Sequence, residues 1–227
     1  MKEQKEEKEQ KVQTTQIALE EDKETKSMNN RILTFNRWSM DGIKIDDLGL
    51  QRYVTLQPKI VPKTGARYAG NKFYKSRVFI IERLINKIMV PGHKSKKHFK
   101  TSYHITGKAH TAYNIVEQAL SRVEKTVKEN PIKIFIKAIE NAAQREEIIT
   151  IEYGGARYPK AVECSPQRRV DLALKHMAQG AYQKSFNSKK SIVETLSEEI
   201  VNAYRLSNSS HAIAKKLEVE RQADSSR

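Results

Sequence analysis

The chain has 227 residues, 38% of them hydrophobic, and its 42 Lys and Arg against 27 Asp and Glu give a formal net charge of +15 at pH 7. That allows one ordinary core plus some unpacked sequence. No run approaches the ~20 apolar residues of a membrane span, and the single cysteine, Cys164, excludes an internal disulfide framework and fits a reducing compartment.

A charge this large implies an anionic partner, because self-repulsion otherwise goes uncompensated. Its distribution is uneven. From Pro58 to His110 there are thirteen Lys and Arg and one acid, Glu82. The first thirty residues hold six Lys and eight Asp or Glu and lack the apolar stretch of a signal peptide, so a cytosolic protein is expected.

In chain order, residues 1–30 are low-complexity Lys/Glu/Gln with nothing to bury, and read as a flexible charged extension. Residues 31–70, broken by Pro58, Pro62, Gly65 and Gly70, read as an irregular arm lying on a surface. Helical spacing starts in "SRVFIIERLINKIM", with Val78, Ile81, Leu84, Ile85 and Ile88 on one stripe, and stops at Pro91-Gly92. "HKSKKHFKTSYHITGK" has neither period nor apolar content and reads as a basic loop. A second helix follows, with Ala112, Val116, Ala119 or Leu120, Val123 and Val127 inward. Asn130-Pro131 caps a third, buried through Ile132, Phe135, Ile136 and Ile139.

The period then changes from 3.6 to 2. Ile149, Ile151 and Tyr153 alternate with polar residues, Gly154-Gly155 suits a primed turn, and Pro159 demands an edge position, so a two-stranded hairpin is expected at about 146–164. Ser165-Pro166 repeats the cap-plus-proline start for a fourth helix, with Val170, Leu174, Met177, Ala178 and Ala181 inward. Ser191 and Glu194 suggest a capping box for a fifth, with Ile192, Leu196, Ile200 and Tyr204 inward. The sixth begins at His211, anchored by Ile213 and Leu217, with a fraying end. The expected fold class is mainly α: a six-helix, bundle-like domain over 71–227, with the hairpin protruding between the third and fourth helices.

No constellation for catalysis stands out. His93, His98, His104 and His110 follow no zinc spacing and sit among lysines that repel a cation. Cys164 reads as a small, partly buried thiol, and "GGAR" lacks the Gly-Lys-Ser/Thr of a phosphate loop. No enzyme, no cofactor and no metal are expected. RNA explains more: cations supply the phosphate contacts, and Tyr53, Tyr68, Phe73, Tyr74, Phe99 and Tyr103, interleaved with them, can stack on unpaired bases. Arg168 and Arg169, in the first turn after Pro166, can point with backbone N–H groups at one phosphate. The alternative is a helical DNA-binding regulator whose recognition helix opens with Arg168-Arg169, although a stacking-capable loop suits unpaired bases better than a duplex groove.

The strings "IERLINKIMVPG", "NPIKIFIKAIENAAQREE", "YGGARYPKAVECSPQRRVDLALKHMAQGA", "SIVETLSEEIVNAY" and "KKLEVERQADSSR" resemble the S-seven ribosomal proteins of the small subunit, over roughly Tyr68 to Arg227. "LTFNRWSMDGIKIDDLGLQRYV" resembles the additional N-terminal portion of archaeal and eukaryotic-type members. The resemblance implies a structural, cytoplasmic ribosomal protein that binds the 3′ major domain of small-subunit rRNA and initiates assembly of the head. It implies rRNA contacts at Lys72, Lys75, Arg77, Lys94, Lys96, Lys97, Lys100, Lys108, Arg168 and Arg169. The hairpin tip, with Tyr153, Gly154, Gly155, Arg157, Tyr158 and Lys160, would face the exit-site tRNA and the mRNA exit path. Neighbouring head proteins would be further partners; no membrane and no homo-oligomer is implied. The arm and the basic loop are expected to order only against RNA.

Overall fold

In the computed structural model the described residues are 32–65, 67–90 and 107–227. Seven α-helices and one hairpin follow in order among them: α1 (Leu48–Gln51), α2 (Ile80–Ile88), α3 (Ala109–Val127), α4 (Pro131–Ala142), β1 (Glu146–Tyr153), β2 (Ala156–Glu163), α5 (Pro166–Ser185), α6 (Ile192–Tyr204) and α7 (His211–Asp224). The mainly α architecture with a protruding hairpin is as the sequence predicts. A short helix in the arm, α1, adds to the six expected and places the hairpin between α4 and α5.

Helix α4 shows why the bundle closes around it. Asn130 accepts a hydrogen bond from Ile132 N at 3.0 Å and Pro131 occupies the first turn, so the start is fixed by side-chain chemistry. Ile132, Ile134, Phe135, Ile136, Ala138 and Ile139 are all buried, which is wider than the single stripe expected. A helix apolar on most faces belongs in the middle of a core, and α4 contacts α3, α5, α6 and α7. At α6 only half of the expected capping box forms. Ser191 Oγ accepts from Glu194 N at 3.3 Å, while the Glu194 carboxylate turns to Arg122 of α3 at 2.9 Å. Ser165 makes no side-chain cap bond, so Pro166 alone sets the start of α5.

Two expectations are corrected. The arm does not merely lie on a surface: Phe35, Trp38, Leu50 and Val54 are buried in the common core, and the Phe35 ring lies 4.6 Å from that of Tyr113 on α3. Large apolar groups spaced irregularly carry no helical period, yet they gain as much from leaving water as regular ones do. The end of α7 is also held rather than frayed. Ala223 is buried, Arg227 pairs with Glu146 of β1, and Glu220 accepts from Arg145 N at 2.9 Å. Of the two expected anchors Ile213 is buried, but Leu217 is exposed, and Ala212 is buried in its place.

Helix α6 carries a carboxylate into the interior. Glu199 is fully buried, and its Oε1 accepts from Ser210 Oγ at 2.7 Å and Ala212 N at 3.0 Å, while Lys184 Nζ lies 2.9 Å from Oε2. It thereby satisfies the start of α7 from outside that helix. Gly180 on α5 makes room for this crossing, since a Cβ there would stand 2.6 Å from His211 Cβ and 3.0 Å from Glu199 Cδ. Gly180→Ala should therefore lower stability by about 1–3 kcal/mol in urea denaturation, against the gain of about 1 kcal/mol that the same change brings in an open helix.

His176 and His211 meet edge to face in the same region, with centroids 6.0 Å apart. Burial, with His211 and Lys175 nearby, lowers the pKa of His176 to about 4, and burial lowers His211 in the same direction. A histidine held neutral in the fold but protonated when unfolded contributes stability above its ordinary pKa, about 6.5. That contribution is lost as pH falls towards about 4. Stability should decline across this window by up to roughly 1.4 kcal/mol per pH unit for this one proton. His176→Met should flatten the decline in denaturant midpoints measured between those two pH values.

Candidate nucleic-acid interface

The cations expected to touch RNA divide into two groups once their neighbours are seen. Lys75, at the 3-10 turn Tyr74–Arg77, pairs with Asp171 of α5, and Arg83 of α2 reaches the same carboxylate at 3.2 Å. Arg83 is only 3% exposed, and its Nη1 also donates to Tyr53 O at 2.8 Å, which ties the arm to α2. Burial opposes the charge of Asp171, but Lys75 and Arg83 outweigh it and hold the carboxyl below its ordinary range. Arg169 donates to Asp47 at 2.8 Å, and Asp47 Oδ1 also caps α1 through Gly49 N at 2.9 Å. The Asp47 carboxyl is likewise held low, Arg169 and the Gly49 N–H overcoming the effect of burial.

Arg168 turns the other way. Its Nε and Nη2 both donate to Glu147 Oε2, at 2.9 and 2.7 Å, which holds it on the base of the hairpin. Arg168 and Arg169 therefore diverge to two carboxylates instead of converging on one point beyond the helix start. Of the remaining expected contacts, Lys72, Arg77 and Lys108 are exposed, Arg77 lying 5.7 Å over the Tyr74 ring. Lys94, Lys96, Lys97 and Lys100, with the neighbouring Phe99 and Tyr103 and with His93, His98 and His104, lie outside the described residues.

Two lysines that the periodicity did not single out complete the face. Lys87 and Lys175 line a polar groove of about 370 Å³ with Ser165, Gln167, Arg168 and Asp171. Burial lowers the pKa of Lys87, Asp171 opposes this, and Lys75, Arg83 and Lys175 add to it by repulsion. Cationic charge is thus crowded beyond what Asp171 neutralises. A signal for this was present, since Arg83 and Lys87 are four apart and share a helix face with Asp171 and Lys175 opposite, but only packing shows that α2 and α5 meet there.

The hairpin is a separate surface. Tyr153 and Tyr158 are 81% and 58% exposed, and every residue from Thr150 to Lys160 is exposed. Gly154 and Gly155 have φ of 58° and 80°, which fits the primed turn predicted from their sequence. Register pairs Ile149 with Lys160, Ile151 with Tyr158 and Tyr153 with Ala156, so alternation puts these six on one face. Glu152 and Arg157 pair on the other, 3.5 Å apart, beside Thr150 and Pro159. Glu146 to Glu163 contains four acids and two bases, so the ribbon reverses the sign of the rest of the chain.

Among the described residues no group of His, Cys, Asp and Glu is placed to hold a metal. Cys164 is buried, which raises its pKa, and Gln144 Nε2 lies 3.4 Å from its sulfur. Among the described residues no helix is long and apolar enough to cross a membrane.

Comparison with known proteins decides what this arrangement belongs to. The family described as ribosomal protein S7p/S5e matches residues 50–227. The chain belongs to this family. It is 52% identical to small ribosomal subunit protein uS7 of Nanoarchaeum equitans over 193 residues, 85% of this chain and 98% of that protein. It is 44% identical to the proteins of the same name from Archaeoglobus fulgidus, covering 86% of this chain and 95% of that one, and from Methanothermobacter thermautotrophicus, covering 85% and 98%. The S7p/S5e proteins are structural, RNA-binding components of the ribosome and not enzymes, so the DNA-regulator alternative falls away.

The ion pairs differ in what they hold. Asp171→Ala leaves Arg83 buried without its carboxylate and should cost about 3 kcal/mol in denaturant unfolding. Glu147→Ala releases a half-exposed Arg168 and should cost under about 1 kcal/mol.

Proposed function

We propose that the chain binds the 3′ major domain of small-subunit rRNA through the flank formed by the arm, the 3-10 turn and the start of α5, and that this binding initiates assembly of the subunit head. Neighbouring head proteins and rRNA are its lasting partners. The hairpin reaches toward the exit-site tRNA and the mRNA exit path. The observation that carries the reading is the separation of charge: thirteen cations against Glu82 between Pro58 and His110, and an acidic ribbon elsewhere. A surface built this way attracts phosphates and releases their counterions on binding.

The cation pairs divide the work within that flank. Lys72, Arg77 and Lys175, all exposed, meet phosphates directly, and Lys108 at the start of α3 is exposed on the same chain segment as the first two. Lys75 and Arg169, committed to Asp171 and Asp47, shape the surface and hold the arm in place. Arg168 can exchange Glu147 for a phosphate at little cost, being 54% exposed in its side chain. At the hairpin, the exposed Tyr153 and Tyr158 offer stacking to unpaired bases, and Arg157 and Lys160 supply the only cations of the ribbon.

The test is the salt dependence of binding to a fragment of the rRNA 3′ major domain. Replacing Lys72 and Arg77 with alanine should reduce the slope of log K against log salt by roughly 0.7 to 0.9 for each phosphate that is no longer neutralised. The same change at Lys94, Lys96, Lys97 and Lys100 should flatten it further. Slopes that match the unmodified chain in both variants would show that RNA lies elsewhere.

A further inference from the structure

Between the arm and the helices lies a second cavity, larger and mostly apolar, that the phosphate contacts do not use. It has a volume of about 510 Å³, with Ile85 and Met89 of α2, Tyr113 of α3, and Ile60 and Val61 of the arm among its walls. Ile60 and Val61 are 64% and 69% exposed, so the arm leaves its wall of the cavity in water. Adjacent exposed aliphatic side chains beside a cavity of this size mark a place for an apolar group. Among the described residues that line it, Glu82 is the only acid. It is 2% exposed and fastens the arm, accepting from Thr64 N and Oγ at 2.8 and 2.6 Å. The rim is cationic: Lys63 lines the cavity, and Arg67 and Lys108, both exposed, adjoin its lining residues Tyr68 and Ala109.

The chain itself holds a segment of complementary chemistry. Ile17-Ala18-Leu19 is followed at once by Glu20-Glu21-Asp22, and Glu24 adds a fourth acid against the lone Lys23. Three apolar residues cannot form a core. Two aliphatic side chains can nevertheless enter a cavity while the acids behind them meet its cationic rim. The place where the described chain begins brings this segment within range. Phe35 packs on Tyr113, which is one wall of the cavity. Leu19 lies sixteen positions before Phe35, a length of chain that reaches up to about 50 Å. A tether this short presents the segment to the cavity at about millimolar effective concentration.

We propose that residues 17–22 dock on this cavity within the same molecule, with Ile17 and Leu19 filling it and Glu20, Glu21 and Asp22 lying on Lys63 and Arg67. The docked segment screens the cationic stretch from Pro58 to His110 in the free protein. A phosphate backbone competes for the same cations, so RNA and the segment exclude one another. A second copy could offer the same six residues, but at micromolar protein the tethered segment is present at far higher local concentration and wins. The docking itself needs no RNA; the screening rests on the chain's binding of rRNA, and gives that binding a built-in competitor.

The test places the photocrosslinker p-benzoylphenylalanine at Met89 of the full chain and, in a second protein that covers a folding failure of the first, at the more exposed Ile60. After irradiation at micromolar concentration and digestion with trypsin, the peptide from Val12 to Lys23 should carry the crosslink. In an equal mixture of heavy- and light-nitrogen protein it should join segments of one molecule only. The same crosslinker at Tyr158, on the hairpin, should not capture that peptide. Ile17→Ser with Leu19→Ser, which leaves the charge unchanged, should abolish the crosslink. It should also tighten binding to a fragment of the rRNA 3′ major domain about threefold at low salt, as expected when the competent state rises from about one-third to full population. A saturating amount of that fragment should remove the crosslink from the unmodified chain. Capture of another segment, or of none, overturns the docking and leaves rRNA binding standing. Crosslinks between heavy and light chains identify a second copy as the occupant and overturn it too, as does equal capture from Tyr158. A crosslink that saturating rRNA leaves in place, or a serine variant that binds rRNA no more tightly, overturns the screening. Failure of every protein to bind the fragment overturns the rRNA reading and with it the screening, while the crosslink still decides the docking.

Discussion

A guanidinium removed from water between α2 and α5 is the constraint on which the remaining structure depends. Arg83 cannot be deprotonated at any ordinary pH, so burying it demands an anion and acceptors arranged in advance. Asp171 supplies the anion and Tyr53 O an acceptor. Because those partners come from α5 and from the arm, satisfying one charge fixes three segments that are distant in sequence. A similar device closes the next junction, where Arg169 of α5 binds Asp47 and Asp47 caps α1. The arm is therefore fastened by ions on its polar side and by Phe35, Trp38, Leu50 and Val54 on its apolar side.

Fastening the arm consumes cations, and this changes how the charge of the chain is to be read. Net charge counts Lys75, Arg83, Arg168 and Arg169 as four equal attractions for phosphate. Their surroundings rank them: Arg83 is buried, Arg169 is mostly covered, Lys75 is half-exposed, and Arg168 is held by a carboxylate that solvent can replace. What projects toward an RNA is the surplus left after these pairs form, with Lys87 and Lys175 crowded at the groove. A preorganised surplus of this kind needs little rearrangement when phosphate arrives, which favours binding by lowering the ordering cost.

Much of the fold was legible because its helices obey simple periodicity. The inward positions expected for α5 are buried, as are those for α3 except Val127 at its end; Asn130 caps α4 and the two glycines make the turn of the hairpin. Family membership was legible too, in strings that run through the hairpin into α5. What sequence could not give was pairing at a distance. Arg169 and Asp47 are 122 positions apart, Lys75 and Asp171 are 96, and no local pattern marks them as partners. The arm escaped for another reason: its anchors are single aromatics and leucines between turns, and such spacing has no period to detect. Glu199 shows the same limit, since a glutamate on an amphipathic helix is normally a solvent-facing residue, and only the start of α7 packed against it explains its burial.

The hairpin follows a different physical rule from the bundle that bears it. A ribbon with four acids and two bases gains little from a field of phosphates, because its own charge has the same sign. Its root is pinned at two corners, by Arg168 on Glu147 and by Arg227 on Glu146, so the two acids at the foot of the first strand are already paired. Beyond them the ribbon has no core of its own, and two strands alone are marginal in water. What supports it is the tight Gly154-Gly155 turn, the β-branched residues along its first strand and the clamp at its base. Such an element is suited to present Tyr153 and Tyr158 at a distance from the bundle, where ring faces and shape would count for more in any contact than net charge.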